Sequence, residues 1–168
     1  TDSPDLYPRN LWPDPKGKPD RVDGLLAGGG MIFLSYTREN AIMVIDAKTG
    51  KLQRTLSVPA PSFMALRNEA ARSIYVVSGG TDVLCITTQT GTGATRLKGL
   101  SNVRGIARDK ADHLYVAVRD PDQQVIVFGT EQEPYLKIGR KGGRAKLGPW
   151  TPDGMLEPAG ITIDAEGK

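Results

Sequence analysis

Gly105-Ile-Ala-Arg-Asp109, His113-Leu-Tyr-Val-Ala-Val-Arg119 and Gln124-Val-Ile-Val-Phe-Gly129 follow one another closely, separated only by Lys110-Ala-Asp112 and Asp120-Pro-Asp-Gln123. The runs are short and rich in Val, Ile and Tyr, side chains that fit a pleated surface. The interruptions carry Asp and Pro, which turn a chain. The stretch predicts three antiparallel strands joined by tight turns.

The pattern recurs on both sides of this stretch. Gly24-Leu-Leu-Ala-Gly-Gly-Gly-Met-Ile-Phe33, Met64-Ala-Leu-Arg-Asn-Glu-Ala-Ala-Arg-Ser-Ile-Tyr75, Gly105-Ile-Ala-Arg-Asp-Lys-Ala-Asp-His-Leu-Tyr115 and Gly160-Ile-Thr-Ile-Asp164 begin 40, 41 and 55 residues apart. A repeat of about 40 residues made of strands and turns, with no 3.6-residue period, predicts the blades of a β-propeller. The expected first strands are 25–27, 65–66, 106–107 and 161–163, and the second strands 31–36, 74–78 and 114–119. The expected third strands are 41–46, 82–87 and 124–128, and the outer strands 52–58, 94–97 and 135–138. Second and third strands are nearly continuous apolar runs, as sheets covered on both faces require. The outer strands are more polar, which places one of their faces in solvent. The fold class is therefore all-β: a propeller fragment of about three four-stranded blades plus the start of a fourth. Propeller rings close with roughly four to eight blades, so the expectation is a larger protein or a ring completed by another chain.

Residues 1–20 form a separate unit. Pro4, Pro8, Pro13, Pro15 and Pro19 fix extended backbone and remove donors, which predicts an arm or linker, with Trp12 as its anchor, ahead of the propeller at 21–168. Across 168 residues, 39% are hydrophobic and the formal net charge is +3. That mild, dispersed charge gives little support to a dedicated nucleic-acid protein. No apolar run reaches the roughly 20 residues of a membrane-spanning helix. Cys85 is the one cysteine, so no internal disulfide and no Cys-x-x-Cys site exists. Its neighbours Val83, Leu84 and Ile86 point to a buried, inert thiol.

Pro158-Ala-Gly-Ile-Thr-Ile-Asp-Ala-Glu-Gly167 resembles the NHL repeat, and His113-Leu-Tyr-Val-Ala117 is similar to the strand that follows that motif. Val44-Ile-Asp-Ala-Lys-Thr-Gly-Lys-Leu52 and Ile74-Tyr-Val-Val77 resemble the related YVTN-type propeller repeat. The resemblance covers 24–168 and is informative about fold far more than about function. The expectation is a repeat protein that presents a rim to protein, glycan or small anionic ligands, and the fold with the Pro-rich arm points outside the cytoplasm, to the periplasm or to secretion.

Propellers hold ligands where loops lead into the innermost strands. By register those positions are Arg21, Asp23, Ser62, Asn102, Arg104 and Glu157, the expected ligand-binding rim. Arg21 and Arg104 have the bidentate geometry to grip a carboxylate or phosphate. A second candidate is the Gly-rich loop 139–154, whose Arg140, Lys141, Arg144, Lys146 and Trp150 combine cations with a stacking surface. One basic loop is a small footprint for RNA, and a connection between repeats or a contact with an anionic or protein partner is the preferred reading.

Catalytic motifs are few. His113 is the sole histidine, so a three-histidine zinc site cannot be assembled from this chain. The lactonase-type propellers use Glu, Asn and Asp around one divalent cation, and Glu157, Asn102 and Asp23 supply those residue types. Gly91-Thr-Gly93 lacks the third glycine of a dinucleotide loop, and no Gly-x-Ser-x-Gly or His-Glu-x-x-His occurs. The expected function is a non-catalytic binding module without a cofactor. The alternative is a fragment of a metal-dependent hydrolase or lyase that holds a divalent ion.

Overall fold

A computed structural model describes residues 21–68 and 72–164. The Pro-rich arm expected at 1–20 lies outside the described residues. Twelve strands run in chain order: β1 (Gly24–Gly28), β2 (Met31–Tyr36), β3 (Ala41–Asp46), β4 (Leu52–Ser57), β5 (Pro61–Asn68), β6 (Ser73–Ser78), β7 (Asp82–Thr87), β8 (Gly93–Leu97), β9 (Val103–Arg108), β10 (Leu114–Val118), β11 (Gln124–Phe128) and β12 (Pro134–Ile138). They form three four-stranded antiparallel sheets, each a simple meander, with orders β1-β2-β3-β4, β5-β6-β7-β8 and β9-β10-β11-β12. The sheets stack as blades of a β-propeller arc, with the innermost strands β1, β5 and β9 side by side.

Local chemistry explains the turns. Asp46 accepts hydrogen bonds from the Lys48 and Thr49 amides and the Thr49 hydroxyl, which holds its carboxyl below the usual carboxylate range. Gly50 then supplies the left-handed backbone, at φ 68°, that returns the chain into β4. The second blade makes the same turn with hydroxyls, linking Thr87 Oγ1 to Thr90 Oγ1 at 2.7 Å before Gly91. In the third blade Asp109 accepts from the Ala111 and His113 amides and pairs with His113 Nδ1 at 2.7 Å. Burial works against ionisation of Asp109, but these bonds from His113 and Ala111 outweigh it and hold the carboxyl low.

Two cores lie between the blades. In β6, Ile74 and Val76 enter the core shared with the first blade, with Phe33, Ile42, Val44 and Leu56. Tyr75 and Val77 enter the core shared with the third blade, with Leu114, Val116, Val118 and Phe128. Successive side chains of a strand point to opposite faces, so a strand between two neighbouring blades buries consecutive positions, as Ser73 to Val77 of β6 do. In the first blade β2 alternates: Phe33 and Ser35 are buried, whereas Ile32, Leu34 and Tyr36 are only half-buried. Continuous apolarity in sequence thus marks a strand built for two neighbours even where one face is less covered.

Three expectations need correction. Strand β5 starts at Pro61 and ends at Asn68, because irregular pairing steps let the lead-in residues join the ladder with β6. Residues 161–163 form no strand: the second strand that would pair with them has no counterpart among the described residues, so the backbone lacks a ladder partner. The outer strand β12 is not polar: Tyr135, Leu136 and Ile138 are 57%, 45% and 40% exposed.

The segment after β12 closes against the third blade. The Arg140 amide donates to Asp153 O at 2.7 Å and Gln124 Nε2 bonds Gly139 O at 2.5 Å. The Glu157 amide donates to Gln123 Oε1 at 2.5 Å. A Cβ on Gly105 in β9 would strike Ala159 O, just as one on Gly24 in β1 would strike Ser62 O. Residues 159–161 therefore lie against β9 as the start of β5 lies against β1, in the place of a fourth innermost strand.

Candidate functional site

In an antiparallel meander the loops leading into each innermost strand and the turns between second and third strands emerge at the same end. Here they surround an open cleft of about 480 Å³, lined by Arg21, Asp23, Arg38, Glu39, Ser62 and Arg104 among others, with Phe63 and Val103 as apolar surface. Asn102 completes the set, so five of the six rim residues read from the sequence line one cavity.

They differ in what they are free to do. Asp23 accepts from the Thr37 amide at 3.1 Å and pairs with Arg21 Nε at 3.4 Å, tying the start of β1 to the β2–β3 turn. Ser62 is fixed through its backbone: the fully buried Ser35 hydroxyl donates to Ser62 O at 2.7 Å, and Thr37 Oγ1 donates to Pro61 O at 2.7 Å. Asn102 has left-handed backbone at φ 45° and accepts from the Arg119 amide at 3.1 Å. Arg104 projects from β9 into solvent with no ion-pair partner among the described residues.

Arg38 and Glu39 were missed in the sequence, where only the lead-in loops were considered. The signal was present, because Thr37-Arg-Glu-Asn40 is the β2–β3 turn and must open at the same end. Arg38 is exposed and, like Arg104, has no ion pair among the described residues. The cleft thus sets three guanidiniums against two carboxylates, and one of those guanidiniums is already engaged by Asp23.

Glu157 stands apart from this lining. Its carboxylate faces Lys146 Nζ at 3.1 Å and Arg119 Nη1 at 3.8 Å. The Lys146 hydrogen bond and charge, followed by the Arg119 charge, hold it below the usual carboxylate range. Glu157 is thus absent from the cleft lining that holds Asp23 and Asn102. Among the described residues no group of three or more His, Cys, Asp or Glu is placed to hold a metal ion.

The basic loop spends much of its charge internally. Arg140 donates to Gly143 O at 3.1 to 3.2 Å, Arg144 Nη1 donates to Ala145 O at 3.4 Å, and Lys141 lies 3.7 Å from Asp122. Lys146 is the partner of Glu157. Outward the loop presents Leu147, 92% exposed, and Trp150, 73% exposed, beside the Lys141 and Lys146 side chains, each 76% exposed. Cys85 is half-buried beside Leu84 and Tyr75, and His113 is the Asp109-bound turn residue, its ring 5.2 Å from that of Tyr135.

No family model matches the chain, and no curated protein matches it in sequence. Solved structures do share its fold. A chain of hydrazine synthase from Kuenenia stuttgartiensis aligns over 88% of this chain at 19% identity with a TM-score of 0.65. A chain of the nidogen/laminin complex aligns over 86% at 18% identity with a TM-score of 0.61. The WD40 repeats of RRP9 align over 72% at 16% identity with a TM-score of 0.55. The chain spans 40%, 53% and 39% of those structures, respectively. At such identities the likeness is one of fold: a partial β-propeller of about three blades.

Proposed function

We propose that this chain is a non-catalytic binding arc of an NHL-like β-propeller that receives an acidic segment of a protein partner in the cleft at the channel mouth. The observation that carries this reading is the pair Arg38 and Arg104, two exposed guanidiniums on one cleft, beside the apolar surface of Phe63. Guanidinium groups pair bidentately with carboxylates, and Arg104 is carried on strand β9 while Arg38 is carried on the β2–β3 turn of the same cleft. The specific repeat type belongs to the same reading, supported by the sequence motifs, and so does an extracytoplasmic location, which rests on the fold and the Pro-rich sequence of 1–20.

The arc is one part of a ring. Residues 159–161 repeat against β9 the contact that the start of β5 makes with β1, so the stacking of blades is prepared to continue. Further blades of the polypeptide, or another chain, complete it.

A fluorescein-labelled hexaglutamate peptide, followed by fluorescence anisotropy, tests the cleft. Saturable binding that weakens with added salt and drops at least roughly ten-fold in Arg38→Gln/Arg104→Gln supports the proposal, since about 1.4 kcal/mol separates each decade. No saturable binding by the folded protein, or binding unchanged in the double variant, would overturn it.

A further inference from the structure

We infer that the arc docks on an anionic lipid surface through the tip of the loop that follows β12. That loop leaves the third blade and folds back on itself. Its base is closed by the Arg140 amide on Asp153 O at 2.7 Å and the Arg144 amide on Met155 O at 3.1 Å. Beyond the base every residue from Ala145 to Trp150 is exposed, Leu147 at 92% and Trp150 at 73%. Pro149 and Pro152 bracket Trp150 and restrict the backbone there, which leaves little ordering to be done on binding.

Charge is the second, independent observation. From Pro134 to Pro152 the chain carries Lys137, Arg140, Lys141, Arg144 and Lys146 and no carboxylate. Those cations outnumber the formal +3 of the whole chain, so the rest of the molecule is net acidic. Asp122 lies 3.7 Å from Lys141 and Glu157 3.1 Å from Lys146, yet both lysine side chains are 76% exposed. Ion pairs this open to water are weak, so either ammonium can turn to an outside anion at small cost.

Together the two observations specify one partner. A wholly exposed tip has no concave wall to grip a side chain, and none of its residues lines the mouth cleft. A bilayer accepts a convex tip. Tryptophan settles at the boundary between headgroups and acyl chains, and leucine adds apolar surface below it. Lysine and arginine stems lie along that boundary with their charges on lipid phosphates, each adding to the attraction of an anionic leaflet. This surface does not depend on what the mouth cleft binds.

Vesicles of equal parts phosphatidylglycerol and phosphatidylcholine are the probe, with pure phosphatidylcholine vesicles beside them. Trp12→Phe leaves Trp150 as the one tryptophan, so its emission reports insertion. Dilute protein should sediment with the anionic vesicles while Trp150 emission shifts to the blue. Affinity should fall about ten-fold or more on pure phosphatidylcholine, and by the same factor in Leu147→Ser/Trp150→Ser. Lys141→Gln/Lys146→Gln should weaken it about ten-fold, the scale of two surface cations near an anionic leaflet. All four side chains are exposed and their variants keep the fold, which a thermal melt verifies. No sedimentation with anionic vesicles by the folded protein, or sedimentation that either double variant leaves unchanged, would overturn the inference. So would a blue shift that follows protein concentration rather than lipid, which would assign the tip to a second copy of the chain.

Discussion

Gly24 and Gly160 begin equivalent repeats yet face opposite constraints. A Cβ on Gly24 would collide with the backbone oxygen of Ser62 in the adjoining blade, whereas a Cβ on Gly160 meets nothing within 4 Å. Gly24→Ala should lower stability by about 1–3 kcal/mol, the range for forced overpacking, and Gly160→Ala by less than about 0.5 kcal/mol. Urea unfolding of the two variants checks both. Asp109 makes a second residue-scale prediction. Its folded carboxyl ionises more readily than the unfolded one, so its contribution is complete above the ordinary carboxylate range and is lost as pH falls through the folded value. Unfolding midpoints measured from neutral to acid pH should show this loss in the natural protein and a flatter profile in Asp109→Asn. At neutral pH the variant should be weaker by about 1 kcal/mol, the worth of a lost hydrogen bond.

Strands differ in stability contribution according to how many neighbours their sheet has. Ile74 in β6 is fully buried between blades, so Ile74→Ala should cost about 2–4 kcal/mol. Ile32 in β2 is half-buried on the first blade's other face, and Ile32→Ala should cost about 1 kcal/mol or less. Equal losses in denaturant melts would show that this face is covered as fully as the inner ones. Between the outer strands, Arg96 in β8 donates to Glu131 O at 3.1 Å and to Gly129 O, joining the second and third blades at their rims. Arg96→Ala should therefore cost about 1–2 kcal/mol in the same melts. Most of this element level was legible in the sequence: β2, β3, β7 and β11 fall where the apolar runs and turn residues put them, because local propensity and burial agree there. Strand β5 and the unpaired 161–163 were harder. Pairing depends on which backbone lies alongside, and Pro61 or Ile161 carries no record of that. The mouth residues were found by register, while Arg38 escaped because its turn was assigned to structure before its end of the meander was considered.

At the scale of the molecule, three blades share two cores, and the stacking direction is set by a repeated contact between neighbouring innermost strands. Residues 161–163, already in place beside β9, offer backbone donors and acceptors with no ladder partner among the described residues. Exposed apolar side chains are Leu136 and Ile138 on β12, Leu147 and Trp150 on the loop after it, and Val22 and Leu25 at the start of the first blade. The two ends are different surfaces, so any contact between copies would run head to tail, a geometry that grows into open fibres unless the rotation closes. Light scattering of the isolated arc should rise with concentration, and Trp150→Lys, at a side chain 73% exposed, should suppress that rise without moving the thermal midpoint by more than a few degrees. A surface built from one repeated contact associates by repeating that contact, so the residues that align blades within the chain also set the geometry of any assembly between copies.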